Sequence, residues 1–154
     1  MFREMTRKGQ QMSPEAVLPF LNDSQYGVLA VLGDNGYAYA VPLNFVHDDG
    51  KIYIHGLKDG HKVDALKAHP KVSFCIVNDA AVKPADFSFS YTSIIIFGTA
   101  RQLDGNEKRA AIERVIRKYS ADHWEKGQKV VKAMWDKFAA FEIPIDHITG
   151  KQNT

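Results

Sequence analysis

The chain has 154 residues, 45% hydrophobic and 25% charged, with a formal net charge of +2. That length suits one domain with a real core and no need of disulfides. The small charge and the lack of a dense basic run argue against a nucleic-acid partner, and no apolar stretch nears the roughly 20 residues of a membrane helix. Met1 to Lys8 lack the apolar centre of a signal peptide, so the expected location is cytoplasmic, with no membrane partner. Residues 1–12 read as an N-terminal extension of the single domain.

Ser13-Pro14-Glu15 opens a helix, with Ser13 as cap, Pro14 at the first turn and Glu15 at the positive end. Val17, Leu18 and Leu21 give it an apolar face. Tyr26 to Leu32 alternates as a strand, and Asp34-Asn35-Gly36 predicts a turn into a second strand, Tyr37 to Val46. Asp48-Asp49-Gly50 turns into a third, Lys51 to His55. A short helix carrying Val63 and Leu66 must end before His69-Pro70. Lys71 to Val77 reads as a buried strand, with the lone cysteine, Cys75, as an inert buried thiol. Asn78 to Asp86, with Pro84, reads as an irregular excursion. Ser90 to Leu103 is the longest strand, with Gly98 as a bend or bulge. Helices are expected at Glu107–Tyr119 and Lys126–Lys137, before a closing alternating strand from Phe138 to Ile148. Six short antiparallel strands with few helices favour a mainly β, α+β barrel over a parallel sheet.

The segment from Tyr53 to Leu66 carries the chemistry. It reads as a strand end, a loop bracketed by Gly56 and Gly60, and a helix start, with His55, His61 and Lys62 along it. Backbone N–H groups, a helix N-terminus and a cation together suit a phosphate. His61 and Lys62 sit where cations oppose the helix dipole, a placement that an intervening anion makes tolerable. Neither G-x-G-x-x-G nor G-x-x-x-x-G-K-[ST] occurs, so a phosphate would be held by another route.

Five segments then carry a resemblance. Tyr39-Ala40-Val41-Pro42-Leu43-Asn44-Phe45-Val46, Asp49 to Gly56 and Gly60 to Leu66 resemble the pyridoxamine-5′-phosphate-oxidase-like flavin-binding split barrels. Tyr91-Thr92-Ser93-Ile94-Ile95 and the ending Ile145 to Lys151 resemble the 5-nitroimidazole-resistance (Nim-type) branch. The resemblance implies a six-stranded split barrel with short flanking helices, forming a homodimer with FMN at the subunit interface. It implies Lys62 as the main phosphate cation, His61 beside it and Ser93 as a hydroxyl from the neighbouring strand. It puts His55 and Gly56 near the ribityl chain, and Val41, Pro42, Leu43 and Asn44 along the flavin ring edge. The oxidases proper carry an arginine and a lysine around the strand that here holds Ala40 and Asn44, and a C-terminal Trp and Arg absent here, so vitamin B6 oxidation is not expected.

Blander readings stand beside these. His55 also fits a structural histidine at a strand end, Ser93 a plain strand hydroxyl, Asn44 the cap of a bulge, and Lys151 a solvated tail. Trp124 and Trp135 read as core or interface aromatics. His47, His55, His61, His69, His123 and His147 form no H-x-x-x-H or H-E-x-x-H pattern, and no metal site is expected. Two functions remain open: an FMN-dependent reductase of a small electron acceptor such as a nitroaromatic or quinone, and a non-catalytic flavin- or haem-holding protein with His55 or His61 as an axial ligand.

Overall fold

A computed structural model describes residues 1–154. Ser13 accepts a hydrogen bond from the Ala16 N–H and starts α1 (Pro14–Asp23). The β1 (Tyr26–Leu32) and β2 (Ala38–Asn44) strands form the first hairpin. After Phe45 come β3 (Val46–Asp48) and β4 (Lys51–Leu57), then α2 (His61–Ala68). β5 (Lys71–Lys83) and β6 (Ser88–Thr99) make a long hairpin, and β7 (Arg101–Leu103) follows Ala100. α3 (Gly105–Ser120) and α4 (Trp124–Met134) precede β8 (Phe138–Asn153). No helix is long and apolar enough to cross a membrane.

All pairings are antiparallel, in the order β2-β1-β5-β6-β8-β4-β3, with β7 also on β8. The two ends of this path, β2 and β3, are consecutive in the chain and separated only by Phe45. The circuit is therefore completed by the covalent chain, not by hydrogen bonds, and the barrel is split between β2 and β3. The expected six strands become eight because two of them are interrupted. Tyr37–Val46 breaks at Phe45, where β2 stays with β1 while β3 pairs β4. Ser90–Leu103 breaks at Ala100, after a register shift between Phe97 and Gly98.

Two other expectations change. Asn78 to Asp86 is not irregular: β5 continues to Lys83, and pairing with β6 resumes at Ala81↔Ser90 after a shift that Asp79 absorbs with a φ of 54°. Only Pro84–Asp86 and Phe87 form the turn. The second predicted helix begins at Trp124 and ends at Met134, giving way to a 3-10 turn over Trp135–Lys137.

Two apolar cores explain the layering. Leu29, Phe45, Ile52, Ile54, Phe74, Ile76, Ile94, Ile96 and Ile143 fill the barrel, with Val17 and Leu21 of α1 and Val63 and Leu66 of α2 packed onto it. A second core lies under α3 and α4, where Ala111, Ile112, Ile116 and Val131 meet Val46, Tyr53, Leu103, Phe138 and Ala140. Trp124 and Trp135 pack against it. No helix covers the outer face of β1, β5 and β6, where Leu32, Val77, Ile95 and Phe97 stay exposed. Cys75 points to that face, half-buried between Val28 and Ile95 in register, so it is not a core thiol. Alternation sends Phe74 and Ile76 inward and Cys75 out.

Candidate functional site: the cleft at the barrel split

The split has an apex, two walls and a cap. The apex is Phe45, whose side chain is buried in the barrel core. Its N–H donates to the Tyr119 hydroxyl at 3.1 Å, and that hydroxyl lies 2.5 Å from the Gln25 carbonyl oxygen. Its carbonyl oxygen accepts from Lys118 Nζ at 3.0 Å, and the same amine donates to the Ser24 carbonyl. The backbone polar groups freed where the strand leaves one sheet for the other are thus satisfied by two side chains of α3.

One wall is β2, which pairs only with β1 and leaves its other edge open. Val41 and Leu43 pack against the barrel core, whereas Pro42 and Asn44 are exposed. Proline is tolerated in such an edge strand. The other wall is the end of β4. β3 pairs only Lys51 to Tyr53, so Ile54 to Leu57 have β8 on one side and an open edge on the other.

α2 caps the cleft and touches both walls with consecutive residues. The His61 ring stacks on Tyr39 of β2, with centroids 4.3 Å apart and planes within 15°. The Lys62 amine lies over Gly56 of β4, in the space that a Cβ at position 56 would need. Gly60 holds a φ of 139° at the N-cap, and no side chain caps the helix, so its first N–H groups have no side-chain acceptor.

The electrostatics of this corner are unbalanced. Burial lowers the Lys62 pKa, and no carboxylate offsets it. Burial, and secondarily the Lys62 charge, lower His55 from its ordinary value. His55 Nδ1 is buried without a hydrogen-bond partner. A half-buried cation without a counter-ion stands at an uncapped helix N-terminus, and an unpartnered imidazole nitrogen lies near enough on β4 to feel its charge. Such an arrangement can hold an anion.

Of the residues picked out by sequence, Gly56 and Lys62 are in contact, His61 precedes Lys62 on α2, His55 precedes Gly56 on β4, and Val41 to Asn44 lie on β2 across the split. Ser93 does not meet them within one chain. It lies on β6, whose neighbours are β5 and β8, so it is not on a strand next to the loop. Ser93 faces Lys151 and His55 faces Ala140, eleven residues apart along β8, or about 35 Å of extended strand. Lys151 lies beside Tyr91, its amine 5.4 Å from the ring centroid. Ser93 and Lys151 instead line a groove of about 500 Å³ on the helix-free face, with residues 1–6 forming its other side. Sequence reasoning missed the Tyr39 contact with His61 and the α3 clamp at Phe45, since no local spacing links residues so far apart in the chain.

This geometry defines a class: a split antiparallel barrel with a helix N-terminus and an unpaired lysine at the split. Residues 13–152 match the pyridoxamine 5′-phosphate oxidase family, and the chain belongs to it. No curated protein matches the sequence. Among solved structures, the fold is similar to that of a candidate 5-nitroimidazole antibiotic resistance protein from Bacteroides thetaiotaomicron, at 19% identity and a TM-score of 0.75 over 92% of this chain and 85% of that one. A flavocytochrome from Azotobacter vinelandii matches with a TM-score of 0.81 at 16% identity, over 99% of this chain and 73% of its own. An FAD- and heme-binding protein from Mycobacterium smegmatis matches with a TM-score of 0.72 at 19% identity, over 94% and 73%.

Proposed function

We propose that this chain is a cytoplasmic FMN-binding flavoprotein that works as a homodimer and reduces a small acceptor such as a nitroaromatic or a quinone. The observation that carries the reading is the half-buried Lys62 amine, without a carboxylate partner, over Gly56 and beside a His55 whose Nδ1 has no partner. Such a corner fits a phosphate monoester better than a neutral ligand, because the anion supplies the missing charge and acceptors. Lys62, His61 and the N-terminus of α2 would hold the phosphate. His55 and Gly56 would flank the adjoining chain, and the open edge from Val41 to Asn44 would offer backbone groups to a flat heterocycle. FMN, when bound, supplies the electron-transfer chemistry, and the protein supplies orientation and electrostatics.

The homodimer is supported by two features. Leu32, Val77, Ile95 and Phe97 are exposed together on a sheet face that no helix covers. Ser93 sits on that face and is separated from Lys62 by β8. It contributes to the same cofactor site only if a second copy brings it there. Family membership and the fold of flavin-binding neighbours agree with a flavin, and the cationic corner favours a phosphorylated flavin over riboflavin.

The test is a titration of the purified protein with FMN, riboflavin and haem, followed by flavin fluorescence and visible absorption. FMN bound at least tenfold tighter than riboflavin supports the reading. A Soret band with no flavin uptake favours the haem-holding alternative. Uptake of neither sinks both. Anaerobic reduction with a nicotinamide dinucleotide, then reoxidation by a nitroaromatic or a quinone, separates turnover from storage.

A further inference from the structure

We infer that Tyr39 is a positioning residue of the cleft: its ring holds the His61 imidazole in place for a phosphate monoester, acting through His61 and not on the ligand itself. The inference rests on the anion-site reading above.

His61 is the first residue of α2 and is exposed, so without support its side chain would be free to change rotamer. Two groups remove that freedom. The Tyr39 ring lies flat against the imidazole at 4.3 Å, and Tyr39 is itself packed against the barrel core. On another side, a Cβ added at Gly33 would come within 3.2 Å of His61 Nε2, so glycine leaves the imidazole just enough room. The Gly33 N–H donates to the Tyr37 carbonyl at 3.1 Å, and the Tyr37 N–H donates to Asn35 Oδ1 at 3.2 Å, which makes this hairpin end a defined support.

The position of the contact gives it a consequence. His61 ties the α2 N-terminus to β2, and the next residue, Lys62, ties it to β4. Across the split itself, the covalent chain joins the two walls at the Phe45 apex, where β2 gives way to β3. The Tyr39–His61 stack therefore sets how far the helix N-terminus stands from the open edge of β2. An anion seated at the helix start feels that spacing directly, whereas a neutral ring along the β2 edge feels it little. Tyr39 should accordingly govern discrimination between a phosphorylated ligand and its dephosphorylated analogue.

The experiment measures FMN and riboflavin affinities, by quenching of flavin fluorescence, for wild type, Tyr39→Phe, Tyr39→Leu, His61→Ala and the Tyr39→Leu/His61→Ala double variant. An aromatic stack contributes enough for about a three- to tenfold effect. Tyr39→Phe keeps the stack and should stay within about twofold of wild type for both ligands. Tyr39→Leu should lose about three- to tenfold for FMN with riboflavin nearly unchanged. The double variant should be no weaker for FMN than His61→Ala alone, because Tyr39 acts through His61. Equal loss of FMN and riboflavin in Tyr39→Leu, or additive loss in the double variant, overturns the inference.

Nuclear magnetic resonance of the wild-type protein supplies a check that needs no variant. The His61 ring protons should be displaced upfield by the Tyr39 ring and should stay so when FMN is added. Random-coil positions overturn the inference. If Lys62→Ala abolishes the preference for FMN while Tyr39→Leu leaves it intact, the anion site stands and the role of Tyr39 falls. If wild type shows no preference for FMN over riboflavin, the anion site itself falls.

Discussion

Lys62 and Gly56 are matched across the turn between β4 and α2: the lysine amine occupies the volume that a side chain at position 56 would fill. A cation placed over bare backbone, with its pKa lowered by burial and no carboxylate paired with it, is costly unless something else neutralises it. The cost is explained if an anion is the natural partner.

Lys62→Ala should weaken FMN binding about tenfold or more, since a hydrogen bond to a charged group contributes roughly 1.5–3 kcal/mol. Riboflavin, without the phosphate, should bind almost as before. Gly56→Ala should reproduce much of the loss by pushing the amine out of its place. Fluorescence titration of the three proteins decides it, and an unchanged FMN affinity in Lys62→Ala removes that lysine from the site.

Stability should depend on pH through His55. Burial and the Lys62 charge lower its pKa in the folded state, while the unfolded chain titrates near the ordinary value of about 6.5. Between the folded value and about 6.5, the unfolded chain holds more protons than the native one, so stability rises with pH across that window. It is complete above about 6.5 and is lost on acidification. His47, also lowered mainly by burial, adds to the same slope. Urea denaturation at a series of pH values should show the slope, and His55→Gln should flatten part of it. An identical profile in that variant would show that His55 is not the titrating group.

The apex of the split should be a stability element. Tyr119→Phe removes the acceptor of the Phe45 N–H and leaves that donor beside a buried side chain. An unsatisfied buried donor costs about 1–3 kcal/mol. Lys118→Met removes the donor to the Ser24 and Phe45 carbonyls and should also destabilise. Losses below about 0.5 kcal/mol in both, measured by urea denaturation, would mean that water replaces the clamp without penalty.

How far the sequence could be read follows from range. Alternation and turn residues identify all six strand regions, because both signals are local. They do not reveal the breaks at Phe45 and Ala100, since the backbone stays extended there while its partner changes. The apolar run from Val72 to Val77 hides the fact that Cys75 points outward, because the face it reaches is itself apolar. At the cleft, Gly56, His61 and Lys62 are legible because they crowd into one loop. Tyr39 is not, because its contact with His61 exists only once α2 folds back onto the first hairpin. Ser93 was legible as a polar strand residue, but the strand order that separates it from Lys62 was not.

That separation makes the last prediction. If Ser93 serves the cofactor, it must come from a second copy, and the two copies must meet across the uncovered face. Val77→Glu and Ile95→Glu put a charge among exposed apolar side chains of that face without touching the barrel core. Each should yield a folded monomer in sedimentation velocity, because a desolvated unpaired charge opposes association by several kcal/mol. The N-terminal segment bears on the same face: Phe2 stacks on His147 at 4.7 Å and on Phe97 at 5.3 Å. A second copy must therefore displace that segment or pack against it. If the face is the interface and the cofactor site spans it, the Glu variants should lose FMN affinity together with the dimer, although Lys62 and His61 are intact. A monomeric variant with wild-type FMN affinity would confine the site to one chain and release Ser93 from it.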